Sequence, residues 1–180
     1  LPPPIADNEE GKVNFCCDKV GNPTTNLQYS LDDGNTWISW SDLSPIEVDL
    51  PAYQTTSDIL LKGSYFGSEN DYIRFYTDTG SFAVSGNIMS LSYGDNYKGI
   101  TKLVKPYQYQ QLFSNSGCRE VSNLILPATE LTDYCYSSMF SFTYISTVPE
   151  LPATKLAPYC YNRMFADTSN MYDGKSLPAT

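Results

Sequence analysis

Few residues of this chain are suited to chemistry, and each has a plainer use. Asp32, Asp33 and Asn35 place hard oxygen ligands of the kind calcium takes in one short segment. Around Gly34 the same residue types make a tight turn for backbone reasons alone, and the turn is the favoured reading. Tyr29, Trp37, Trp40 and Tyr53 offer aromatic faces against which sugar rings pack. Trp37 and Trp40 differ by an odd number of positions within one predicted strand, so they point to opposite faces and at most one is exposed. Trp37 and Tyr53 are the candidate binding residues retained. Cys16, Cys17, Cys118, Cys135 and Cys160 include no Cys-x-x-Cys pair, and with no histidine in the chain a zinc or haem site has no ligand set. Cys16 and Cys17 are vicinal and face opposite ways on a strand, so they do not bond each other, and burial as small apolar side chains is expected of the cysteines. No Ser-x-x-Lys or Gly-x-Ser-x-Gly sequence is present, and Glu9-Glu10 or Glu130 with Asp133 read as solvated charge. The prediction is a binding protein and not an enzyme, with no cofactor and no metal.

Composition narrows the partners. The formal net charge of −9 repels phosphate backbones and anionic lipid, so nucleic acid is excluded as an expected partner. No apolar run is long enough for direct membrane insertion, and Leu1-Pro2-Pro3-Pro4 lacks the regions of a signal peptide. With 15 Tyr against 8 Phe, the aromatic content favours half-buried sheet faces and wet binding surfaces.

The elements that must position these residues fall into two kinds. Laid on itself, the chain repeats Leu126-Pro127-Ala128-Thr129 as Leu151-Pro152-Ala153-Thr154 and Leu177-Pro178-Ala179-Thr180, at a period of about 25 residues. The last copy is expected to open a further repeat. Behind the first two copies, Leu131 to Phe140 matches Leu156 to Phe165, and Pro106 to Phe113 is a degenerate copy with Gln108 in place of the cysteine. Phe113, Phe140 and Phe165 then form one column and Tyr109, Tyr136 and Tyr161 another, as in stacked repeats. Leu131, Cys135 and Met139 at i, i+4 and i+8 predict a short helix, with Thr129 and Thr154 near helix starts as caps. Segments 121–126 and 145–151 alternate apolar and polar residues and predict short strands. On the helical side Cys135 and Cys160 are expected to be too far apart to bridge.

This pattern, Leu-Pro-Ala-Thr-x-Leu-x-x-Tyr-Cys-Tyr-x-x-Met-Phe with Pro149-Glu150 further on, resembles the BspA-like leucine-rich repeats of bacterial surface proteins of Bacteroidota. The departure is at Ser141-Phe142-Thr143-Tyr144-Ile145, where that family usually has Gly-Cys-Thr-Ser-Leu; Gly117-Cys118 keeps the Gly-Cys. The resemblance implies a secreted or cell-surface location and adhesion to host matrix or cell-surface protein, or to glycan.

Upstream, short alternating runs at 12–17, 27–31, 36–40, 46–50, 58–64, 72–77 and 82–91 predict seven strands, which suit an immunoglobulin-like β-sandwich. Asp33-Gly34 supplies the positive-φ positions of a hairpin between the second and third. The segment around Tyr29, Thr36 and Trp37 also resembles an all-β module that precedes such repeats in bacterial surface and phage proteins. The expected fold class is mainly β: a sandwich over 1–95, then a leucine-rich-repeat solenoid of strand plus short helix over 96–180. Its expected function is extracellular adhesion or ligand recognition through the strand-lined face of the repeats, with Ser122, Asn123, Ser146 and Thr147 as binding residues. Two other expectations stay open, a structural or receptor-binding component of a phage particle and a glycan-capturing accessory module.

Overall fold

Strands of alternating burial build the first part of the chain, whose computed structural model describes residues 12–49 and 58–169. The protein is mainly β. Strand β1 (Lys12–Val20) lies between β4 (Ile46–Asp49) and β6 (Tyr72–Thr77), and β2 (Leu27–Ser30) lies between β3 (Ile38–Ser39) and β5 (Leu60–Gly63). All four pairings are antiparallel. Pairing of β1 with β6 sets Cys17 opposite Phe75 and Asp18 opposite Arg74, whose guanidinium reaches the Asp18 carboxylate at 2.6 Å. Cys17 is packed in the core, whereas Cys16, on the other face of the strand, is buried outside that cluster. The β2–β3 hairpin forms as expected: Asn35 N–H bonds Asp32 C=O across Asp33 and Gly34, both at positive φ.

The run expected as one strand over 82–91 is broken into β7 (Phe82–Ala83), β8 (Gly86–Asn87) and the single turn of helix α1 (Ser90–Tyr93). Gly86 at positive φ interrupts it, and beyond it the Asn87 side chain accepts the Met89 N–H at the entry to α1. The two short strands pair in parallel with β9 (Cys118–Glu120) and β10 (Leu124–Ile125), so the first part of the chain supplies the layer on which the repeats are laid.

The predicted helices do not form. Residues 106–115, 133–142 and 158–167 are successive turns, with left-handed residues every fourth position: Tyr107, Gln111 and Asn115, then Tyr134, Ser138 and Phe142, then Tyr159, Arg163 and Asp167. Alternate N–H groups close local turns, as Ser137 to Tyr134 C=O. The others cross to the next layer: Tyr109 to Cys135, Phe113 to Met139, Tyr136 to Cys160 and Phe140 to Met164, all at 2.9–3.0 Å. A helix keeps every interior N–H for its own i−4 carbonyl, and these are spent between layers instead. Thr129 and Thr154 accordingly cap nothing: the Thr129 hydroxyl donates to Thr101 C=O and that of Thr154 to Thr129 C=O.

The sequence columns are physical columns. Phe113, Phe140 and Phe165 stack at 5.6 and 5.8 Å, Tyr109, Tyr136 and Tyr161 at 6.1 and 5.9 Å, and Tyr107, Tyr134 and Tyr159 at 4.8 and 4.7 Å. The phenylalanine column continues through Phe75 to Phe15 and Trp40, so one apolar core runs through both parts of the chain. Each fully buried aromatic of this kind contributes about 2–3 kcal/mol of transfer free energy, which is why the columns and not local propensity hold the layers. Gly67 marks a close approach of the two parts: its N–H bonds Gln108 C=O, and a Cβ there would stand 2.8 Å from Tyr107 C=O. The expected strand over 145–151 is absent; Pro149 has no N–H to give, and the layer contact there is Tyr144 N–H to Cys118 C=O at 3.2 Å.

Candidate functional site

The segment between the last turn of one repeat and the Leu-Pro of the next presents some side chains inward and others outward. Cys118, Val121 and Leu124 are buried while Arg119, Ser122, Asn123 and Ile125 are exposed; one layer on, Thr143 and Ile145 are buried while Phe142, Tyr144 and Ser146 are exposed. Glu120 joins the two layers. Its Oε1 accepts the Ser122 N–H at 2.6 Å and the Thr147 hydroxyl at 3.0 Å. The Ser122 amide, and to a smaller extent the Thr147 hydroxyl, hold the Glu120 carboxyl below the usual carboxylate range. Ser122 and Thr147, far apart in sequence, are thereby brought to one carboxylate, with exposed Asn123 and Ser146 adjoining them in the chain. Arg119 lies with its guanidinium 5.5 Å from the Tyr144 ring centre, adding a cation beside an exposed aromatic.

Sequence reasoning missed Glu120, Arg119 and Tyr144. Glu120 is two residues before Ser122, a spacing at which a carboxylate reaches a nearby amide, and that local signal was readable. The Arg119–Tyr144 contact depends on which layer lies beside which and had no local signal.

Trp37 belongs to a different surface. It is half-buried on the β2–β3 hairpin, with the Lys62 ammonium 4.0 Å above its ring, so one face of the ring is already covered. Trp40 is buried, stacks on Phe75 and donates its indole N–H to Ser44 C=O at 2.7 Å. Tyr53 lies outside the described residues. Trp37 also edges an apolar cleft of about 460 Å³ between Leu60 and Leu61 on one side and Phe82, Val84 and Ile88 on the other.

The Asp32 carboxylate is consumed in the turn, and Asp33 supplies a positive-φ position there. Asp32 Oδ1 accepts the Ser30 hydroxyl and the Thr36 N–H, and Oδ2 accepts the Thr36 hydroxyl at 2.6 Å, which pulls its pKa down to about 2. Among the described residues no group of three or more His, Cys, Asp or Glu is placed to hold a metal ion, and no helix is long and apolar enough to cross a membrane. All five cysteines are free and buried, and burial pushes the thiols of Cys17, Cys118 and Cys135 up to about 12. At neutral pH these thiols stay protonated.

A comparison of the chain with family models, with curated proteins and with solved structures found no match.

Proposed function

We propose that this chain is a non-enzymatic recognition module of an extracellular or bacterial-surface protein. In this reading the layered part is a solenoid of the leucine-rich-repeat kind, close to the BspA-like type, and the first part is a β-sandwich that closes its leading end. The surface around Glu120 receives a partner, either a host matrix or cell-surface protein or a glycan. One observation carries the reading: a single carboxylate fixes Ser122 and Thr147 from successive layers, so polar groups on the outer face are held in place before any ligand arrives. Pre-organisation lowers the entropy lost on binding, and stacked layers supply a broad surface of the kind repeat proteins use. Exposed Phe142 and Tyr144 beside Arg119 add residue types enriched in interface cores.

The test is binding of the purified chain to arrays of host matrix proteins and surface glycans, repeated with Arg119→Ala and Asn123→Ala. Saturable binding that weakens in both variants, with thermal stability unchanged, supports the reading. Binding untouched by both variants moves the site elsewhere, and silence across the arrays removes the adhesive role.

A further inference from the structure

We propose that the outer face of the β3-β2-β5 sheet is a second binding site, shaped for the hydroxyl groups of a neutral sugar. It lies in the first part of the chain and does not rest on the repeat-face reading. Strand register sets Ser39, Gln28 and Lys62 in one row across three strands, opposite in facing to Tyr29, which packs edge-on against Trp40. The row floors a cleft of about 330 Å³, with Asn26, Ser41 and Asp95 on its walls. That volume is at the small end of ligand clefts, roughly 300–1,000 Å³, and suits one or two sugar rings.

The lining selects the chemistry. The Lys62 ammonium donates to both Asp95 carboxylate oxygens, at 3.0 and 2.9 Å, and rests on the Trp37 ring. The pair is neutral and held, so the cleft has no spare cation for a phosphate or carboxylate and no spare carboxylate for a metal ion. Asn26 is fixed by donating to the Ser64 hydroxyl at 3.3 Å. The side chains of Gln28, Ser39 and Ser41 are exposed and have no hydrogen-bond partner among the described residues. A carboxamide and two hydroxyls each donate and accept, and the ligand groups that do both in return are alcohols and amides. A peptide would call for an apolar anchor pocket, and the one apolar lining residue, Leu27, is buried.

The experiment is a nitrogen-15 NMR titration of the full chain with glucose, galactose, mannose and N-acetylglucosamine, and separately with inorganic phosphate. At least one sugar is expected to give saturable shifts at the amides of Gln28, Ser39, Ser41 and Lys62. Gln28→Ala is expected to weaken that sugar about tenfold, the loss of roughly one net hydrogen bond, at unchanged melting temperature. Gln28 is exposed and its removal opens no cavity; Ser41→Ala serves as a second probe of the same cleft. The proposal is overturned by saturation with phosphate alone, by the absence of saturable shifts with all four sugars, or by shifts that survive both variants. Since Arg119 and Asn123 lie on the other surface, the fate of the repeat-face reading is decided separately.

Discussion

Thr147 donates its hydroxyl to Glu120 at 3.0 Å, and that bond helps to tie the outer edge of one repeat to the next. Backbone bonds hold the turn side of every layer, whereas at this edge the strand expected over 145–151 is missing, and the Thr147 side chain adds to the backbone bond from Tyr144 N–H to Cys118 C=O.

Glu120→Gln keeps the shape and removes the charge. Its cost is expected to stay below about 1 kcal/mol because the group is near solvent. Hydrogen exchange at the Ser122 amide should accelerate while exchange at Tyr109 and Tyr136 stays slow. Uniform acceleration would mean that Glu120 supports the whole fold and not this edge.

Acid should loosen the molecule by a definite route. Asp32, Asp42, Asp78, Glu120 and Glu130 all have carboxyls held below their ordinary values by hydrogen bonds, at Glu130 first from Lys155 and then Lys102. A lowered folded pKa gives stability that is present above the unfolded value and lost as pH falls through the folded one. Melting temperature is therefore expected to be flat from pH 7 to about 5 and to fall below about 4.5. A flat profile down to pH 3 would show that these bonds contribute nothing net.

Two tyrosines one layer apart should answer oppositely to loss of their hydroxyl. Tyr109 Oη bonds the Ser92 hydroxyl at 2.7 Å, in a buried network with Gln108 that also reaches Tyr65 C=O. Tyr136 Oη is buried with no partner among the described residues. Tyr109→Phe should cost about 1–3 kcal/mol, and Tyr136→Phe should be neutral or stabilising. Equal losses in urea unfolding would show that the Tyr136 hydroxyl has a partner after all.

Arg163 is exposed and left-handed, at φ 54. Asparagine tolerates that conformation, so Arg163→Asn is expected to raise stability by a few tenths to about 1 kcal/mol. The reverse exchange at neighbouring Asn162→Arg, where φ is not positive, should change stability little, and a loss there equal to the gain at Arg163 would point to surface charge instead of backbone conformation.

At the alkaline end, Cys17, Cys118 and Cys135 are neutral in the fold, with pKa values pushed up to about 12 by burial. A raised folded pKa gives stability that is full below the unfolded value and lost as pH rises toward the folded one, here from about 9 upward. Thiol titration at pH 8 should find no fast-reacting cysteine in the native protein and five after denaturation.

What the sequence disclosed was set by where its information is kept. The Phe140 and Tyr136 columns were legible because stacking requires like residues at like positions, and repetition shows directly in the chain. The hairpin was legible because Asp33 and Gly34 answer a local backbone need. The helix reading of Leu131, Cys135 and Met139 had their burial right and their backbone wrong. A left-handed residue every fourth position buries the same stripe that a helix would, and the difference lies in bonds to another layer, as from Tyr136 to Cys160. At the candidate site, Ser122 and Thr147 were named from the repeat pattern, but the carboxylate that both of them meet belongs to neither local pattern.

The bonds between turn segments all run one way, from an N–H in an earlier layer to a carbonyl in a later one. In the last described layer the N–H groups of Tyr159, Tyr161, Arg163, Phe165 and Asp167 meet no acceptor among the described residues. The turn side of the stack thus has a sense of direction: each layer offers its free donors forward, so whatever packs on the next position there has to present carbonyls in the same register.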